Sequence, residues 1–226
     1  MDDSEITEIL RNAEAAVKAR EPLGPTGFWK AVAAVKADPA MIAAHSDRIG
    51  VIDSTAFRNW ALMTVPLWIG NLVMTGGALL GLALIAWAYA LEGTAAAIVF
   101  LLGFGAILVT THSLSHLLVG MISGIRFTRW FVGAVRRPQP GVKLDYATYL
   151  RAPARSRAWM HASGAIVTKI VPFALIGAAL AAAVPGWVVW LLVVVGIGQI
   201  ITDVLWSTNA SDWKKYRREM AFAHSS

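Results

Sequence analysis

Residues 93–125 read GTAAAIVFLLGFGAILVTTHSLSHLLVGMISGI, without a single Asp, Glu, Lys or Arg. A run this long exceeds the ~20 apolar residues a helix needs to cross hydrocarbon, so it reads as a membrane span. Its two histidines, His112 and His116, lie one helical turn apart and therefore on one face. The same reading extends outward. No charged residue occurs between Arg58 and Glu92, and from Ala158 to Thr202 only Lys169 is charged, with Pro185-Gly186 placing a tight turn inside that stretch. The expectation is an all-α polytopic membrane protein with four transmembrane helices at 62–90, 95–123, 159–183 and 187–206.

The chain has 226 residues, 57% of them hydrophobic, which is too apolar for an ordinary soluble domain. Seven Lys and Arg residues precede the first span, eight lie between the second and third, four follow the last, and the two short turns carry none. The positive-inside rule then puts both termini and the 124–157 loop on the cytoplasmic side of the cell membrane. The net charge of +6 is accounted for by anionic headgroups, with no need for nucleic acid. Met1-Asp2-Asp3-Ser4-Glu5 is acidic and polar, unlike a signal peptide. There is no Cys, so a metal would have to use imidazole and carboxylate.

Three regions follow. Residues 1–59 read as a cytoplasmic helical region, with Ser4 as N-cap of a helix striped by Ile6, Ile9, Leu10, Ala13 and Val17, a break at Pro22 to Gly27, and a second helix from Phe28 to Lys36. His45 there reads as a surface residue. Residues 60–210 form the four-helix membrane domain, and 211–226 a basic, amphipathic cytoplasmic tail suited to lipid attachment. Within 124–157, Ile125–Phe131 and Val142–Tyr146 alternate around Pro138-Gln139-Pro140-Gly141, which predicts an interfacial hairpin. Gly103, Gly105, Gly120 and Gly124 read as sites of close helix packing.

Ionisable residues at membrane depth are costly and each needs a role. His116 lies ten residues before Arg126, about 15 Å deep, and Asp203 eleven before Lys214, about 16 Å deep. Spans two and four run in the same direction, so His112, His116 and Asp203 meet at one level if those helices are neighbours. Two imidazoles and a carboxylate suit zinc with an open fourth position, and suit ferrous iron equally. Lys169, about 18 Å deep, supplies the competing account, in which it neutralises Asp203 as an ion pair. His161, about 6 Å deep, is a weaker fourth candidate.

The segment His112-Ser-Leu-Ser-His116-Leu-Leu-Val-Gly-Met-Ile-Ser-Gly124-Ile-Arg-Phe127 resembles the zinc-binding helix of the site-2 protease family of intramembrane metalloproteases, in which HExxH is followed by small residues, a glycine and a cytoplasmic hairpin. Ala162-Ser-Gly-Ala-Ile166 is similar to that family's small-residue motif, and Asp203 falls at the position of its third zinc ligand. The resemblance covers about 90–203. It implies a three-helix core holding zinc on His112, His116 and Asp203, preceded by one extra helix. Ser113 stands where the family has its catalytic glutamate, and a serine is no general base at neutral pH. The resemblance therefore implies a proteolytically inactive relative that binds a membrane protein partner, with strand addition to its hairpin as one route. The alternatives are an active zinc protease with a non-standard base, and a non-enzymatic structural subunit or transporter component built on a Lys169–Asp203 pair. As a transporter, four spans without a repeat would have to oligomerise to form a pathway.

Overall fold

The structure is a computed structural model that describes residues 1–133, 140–205 and 211–223, apart from the side chains of Pro140 and Val204. The turn expected at Pro138-Gln139 and the end of the fourth expected span at Trp206 lie outside the described residues. Among those described, the order is α1 (Asp3–Lys18), a 3-10 turn (Gly24–Thr26), α2 (Phe28–Lys36), α3 (Pro39–Trp60), β1 (Met63–Pro66), α4 (Leu67–Ala88), α5 (Gly93–Ile122), β2 (Phe127–Val132), β3 (Pro140–Leu144), α6 (Tyr146–Arg151), α7 (Ala154–Ala181), α8 (Gly186–Leu205) and α9 (Asp212–Ala223). The protein is all-α apart from one small sheet. Four helices, α4, α5, α7 and α8, are long and apolar enough to cross a membrane. They make it a multi-pass membrane protein.

The first span starts later than its composition predicts. Residues 62–66 carry no charge and look like the head of the helix, yet Met63–Pro66 is a strand. Pro66 disfavours helical geometry at Val65 and brings no N–H, so the β-branched Thr64-Val65 pair goes extended and the helix starts at Leu67. The predicted hairpin forms from β2 and β3, and β1 adds to it in the order β1-β2-β3, all antiparallel.

Two compact units divide the chain. The first gathers Met1–Leu67, Gly120–Arg157 and Glu219–Ser226. Its core takes Ile6, Leu10, Ala13 and Val17 from α1, Phe28, Val32 and Val35 from α2, Ile49 and Ile52 from α3, and Tyr149 and Leu150 from α6. The α1 stripe is as the spacing predicts, except that Ile9 is only half-buried. The N-cap is Asp2 in place of Ser4: Asp2 Oδ1 accepts from Glu5 N at 2.8 Å and from the Ser4 hydroxyl at 2.7 Å. His45 is buried, with Nε2 2.7 Å from Asp3 Oδ1. A surface position was expected for it, but its helix α3 packs that face on α1. Glu219 is fully buried between Lys36 and Arg157, whose Nε donates to it at 2.8 Å while Nη1 donates to the Leu150 and Ala152 carbonyls. Burial alone would raise the Glu219 carboxyl, but the two cations outweigh it and hold it low.

The second unit comprises Trp68–Val119 and Ala158–Arg218. Phe100, Phe104 and Ile107 of α5 pack with Ile85 of α4, Ala179 of α7, and Val188 and Leu192 of α8. Leu72, Leu80, Leu102, Leu180 and Val194 point outward and are exposed, the arrangement of helices whose outer solvent is hydrocarbon. Of the glycines expected to permit packing, Gly103 does so. Its α-hydrogen face meets the Gly81 carbonyl of α4, where an added Cβ would lie 2.7 Å away. Gly105 faces open space, and Gly124 instead ends α5 in the left-handed conformation at φ +78°.

Candidate metal centre

Helical spacing brings the two imidazoles together, with ring centroids 4.8 Å apart and planes nearly perpendicular at 88°. Their orientation comes from α7. His116 Nδ1 lies 2.7 Å from the Met160 carbonyl, which fixes the proton on Nδ1 and leaves Nε2 beside Gly164 of the same helix. Met160 and Gly164 stand one turn apart on α7 as His112 and His116 do on α5. The approach is close enough to require glycine. A Cβ at Gly164 would sit 2.3 Å from His116 Nε2 and 2.9 Å from His112 Cε1.

The carboxylate at this pair is Asp212, at the start of α9. Its Oδ2 is 3.2 Å from His116 Nε2 and 3.5 Å from His112 Nε2. Ser211 caps the helix, accepting from Lys214 N at its hydroxyl and from Lys215 N at its carbonyl. Tyr216, one turn on, packs against Trp159 of α7 at 5.4 Å and stacks on Trp213 at 5.1 Å. Lys215 Nζ takes the other carboxylate oxygen, Oδ1, at 3.1 Å. Burial acts to raise the Asp212 carboxyl, but the His116 hydrogen bond and the charges of His116 and Lys215 prevail and hold it well below the usual carboxylate range.

Asp203 lies elsewhere in the second unit. Its Oδ2 accepts from Lys169, whose Nζ also donates to the Ala165 carbonyl at 3.0 Å, so the two form an ion pair. Of the residues named from sequence, His112 and His116 come together, and Asp203 is placed on Lys169. The third converging donor is Asp212, with one ligand atom from each of the three residues within 4.8 Å of the others. His161 is half-buried and is not one of the three. Ser113 is buried on α5.

These distances permit two chemistries. With Nδ1 protonated, His116 Nε2 and Asp212 Oδ2 are both acceptors and must share either a proton or a cation. Donor atoms about 2.0–2.1 Å from a tetrahedral ion stand roughly 3.3–3.4 Å from one another, and the two nitrogen–oxygen separations bracket that edge. A carbonyl behind the imidazole is also the usual support of a metal-ligating histidine. The donor set therefore fits a divalent ion. Comparison with protein-family models, with curated proteins and with solved structures gives no match.

Proposed function

We propose that this multi-pass membrane protein holds a divalent metal ion on His112, His116 and Asp212, zinc by its donors with ferrous iron as the alternative, and acts by binding a membrane partner without hydrolysing it. The observation that carries the reading is the convergence of the two Nε2 atoms and Asp212 Oδ2 at 3.2 and 3.5 Å, with His116 locked from behind by the Met160 carbonyl. A bound ion supplies Lewis acidity and lowers the pKa of coordinated water. The chain's own residues place the donors: the Met160 carbonyl and the close approach of Gly164 set the imidazoles, and Lys215 holds Oδ1 so that Oδ2 faces them. Ser113 replaces the glutamate that would take a proton, and the carboxylate beside the pair, Asp212, is engaged as a ligand, which favours a non-proteolytic member of a site-2-protease-like architecture. The Lys and Arg distribution supports cytoplasmic termini, an interfacial hairpin and residence in the cell membrane.

A second reading, a structural subunit or transporter component, is favoured by the Lys169–Asp203 pair. Elemental analysis of the detergent-purified full chain separates the two. Near-stoichiometric metal is expected in wild type and in Asp203→Asn, and its loss in His112→Ala, His116→Ala and Asp212→Asn. Metal-free, well-folded wild type after zinc is supplied, or metal kept in Asp212→Asn and lost in Asp203→Asn, overturns the site.

A further inference from the structure

The first unit contains a cleft of about 660 Å³ between α3, the sheet and the start of α6, lined among others by Asp47, Asp53, Arg58, Arg129, Lys143 and Asp145. Three acids and three bases make it neutral on paper, but their commitments differ. Asp47 is bonded by Arg151, Asp53 by Lys143, and Asp145 accepts from the Ala147 and Thr148 amides as the cap of α6. Arg58 donates only to the Ser54 and Thr55 hydroxyls, and no carboxylate pairs with it or with Arg129 among the described residues. The unsatisfied charge in the cleft is therefore cationic, and it consists of two exposed guanidiniums, the group whose planar donors match phosphate oxygens.

A second cleft of about 500 Å³ shares Asp53, Phe57 and Lys143 with the first. Its wall is largely aromatic and aliphatic, with Leu23, Trp29, Phe57 and Trp60. Phe57 and Trp60 pack with Phe131 at ring-centroid distances of 5.0 and 5.8 Å. Lys143 sits over the Phe57 ring at 5.1 Å, at the junction of the two clefts. A charged cleft joined to an aromatic one is amphiphilic; Phe57, Arg58 and Trp60 lie in the chain just ahead of the first span, and Arg129 and Lys143 lie in the segment between the second and third. Exposed Leu62 and Met63 follow Trp60 directly before α4 begins at Leu67.

The geometry points to a binding site for an anionic phospholipid, with the phosphate on Arg58 and Arg129 and the start of an acyl chain along Phe57, Trp60 and Trp29. Lys143, held by Asp53, marks the boundary between headgroup and chain. The site shares no residue with the metal centre.

The test uses the full chain in neutral detergent, titrated with short-chain phosphatidylglycerol and read by tryptophan fluorescence, with short-chain phosphatidylcholine and inorganic phosphate as parallel probes. Phosphatidylglycerol should saturate at lower concentration than either. Arg58→Gln and Arg129→Gln should each weaken it about tenfold, as expected for one charge-assisted contact. Arg151→Gln removes an equally exposed arginine that is already committed to Asp47, and should leave the affinity unchanged. Equal binding of phosphatidylcholine, or wild-type affinity in both cleft variants, overturns the site. Inorganic phosphate binding as tightly as the lipid overturns the lipid assignment.

Discussion

Gly164→Ala is the sharpest perturbation of the metal centre, because it adds one methyl group and removes no ligand. The new Cβ would lie 2.3 Å from His116 Nε2 and 2.7 Å from its Cε1, where ordinary contact begins at 3.4 Å. The ring must retreat by about 1 Å, since Gly164 belongs to the continuous helix α7 and its backbone has little freedom to move. That retreat stretches the 2.7 Å bond to Met160 and the 3.2 Å approach to Asp212 together. Overpacking costs about 1–3 kcal/mol and the weakened hydrogen bond about 0.5–1.5, against about 1 kcal/mol returned by the better helix propensity of alanine. The net expectation is a loss of about 1–3 kcal/mol in stability. Metal affinity should fall about 10- to 100-fold, the range seen when a ligand's supporting contacts are disturbed. Competition with a zinc chelator measures the affinity, and thermal unfolding in detergent the stability. Gly177→Ala, on the same helix with open space at its Cβ, is the control and should be neutral or slightly stabilising. A Gly164→Ala protein with wild-type zinc affinity and unfolding temperature would refute the close approach of α7 to the imidazoles.

Lys169→Met should destabilise the fold by about 2.5–3.5 kcal/mol, the cost of a lone carboxylate at membrane depth, whereas Lys169→Met with Asp203→Asn should recover most of it. Additive unfolding free energies across that cycle would reject the pair. Glu219→Gln leaves Lys36 and Arg157 without their shared carboxylate and should cost about 3–5 kcal/mol in chemical unfolding. The Glu219 carboxyl titrates below its unfolded value of about 4.5, so its contribution is complete above that pH and is lost as pH falls through the lower folded value. Acid unfolding of the Gln variant should accordingly be shallower than that of wild type over that range. Gly103→Ala drives a methyl group against the Gly81 carbonyl and should lower stability by about 1–3 kcal/mol, while Gly105→Ala, which meets nothing, should be neutral by the same thermal assay.

The spans were legible because membrane insertion is governed by local composition: charge-free runs between Arg58 and Glu92 and between Glu92 and Arg126 mark α4 and α5 whatever the helices pack against. The histidine pair was legible for an equally local reason, since residues i and i+4 share a face of any helix. The strand β1 was not, because a charge-free Met63–Pro66 is ambiguous until Pro66 and its β2 partner settle it. Glu219 was hidden within a basic segment, and its burial depends on cations 183 and 62 residues away in the chain.

Asp212 shows where reading by sequence ends. Counting residues at a fixed rise gives the depth of a side chain along its helix and says nothing of its direction around the axis. Asp203 matches His116 in depth but is directed to Lys169. Asp212 stood in a basic tail between Ser211 and Trp213, and the one local signal it carried was a helix start, a capping serine followed by an acid. Composition and periodicity alone thus determined that the chain spans the membrane and presents two imidazoles on one face. Which carboxylate meets them was decided only by tertiary structure, because contact across helices depends on packing that no local pattern encodes: Gly164 admits α7 to the rings, and Trp159, Trp213 and Tyr216 dock the first turns of α9 beside them.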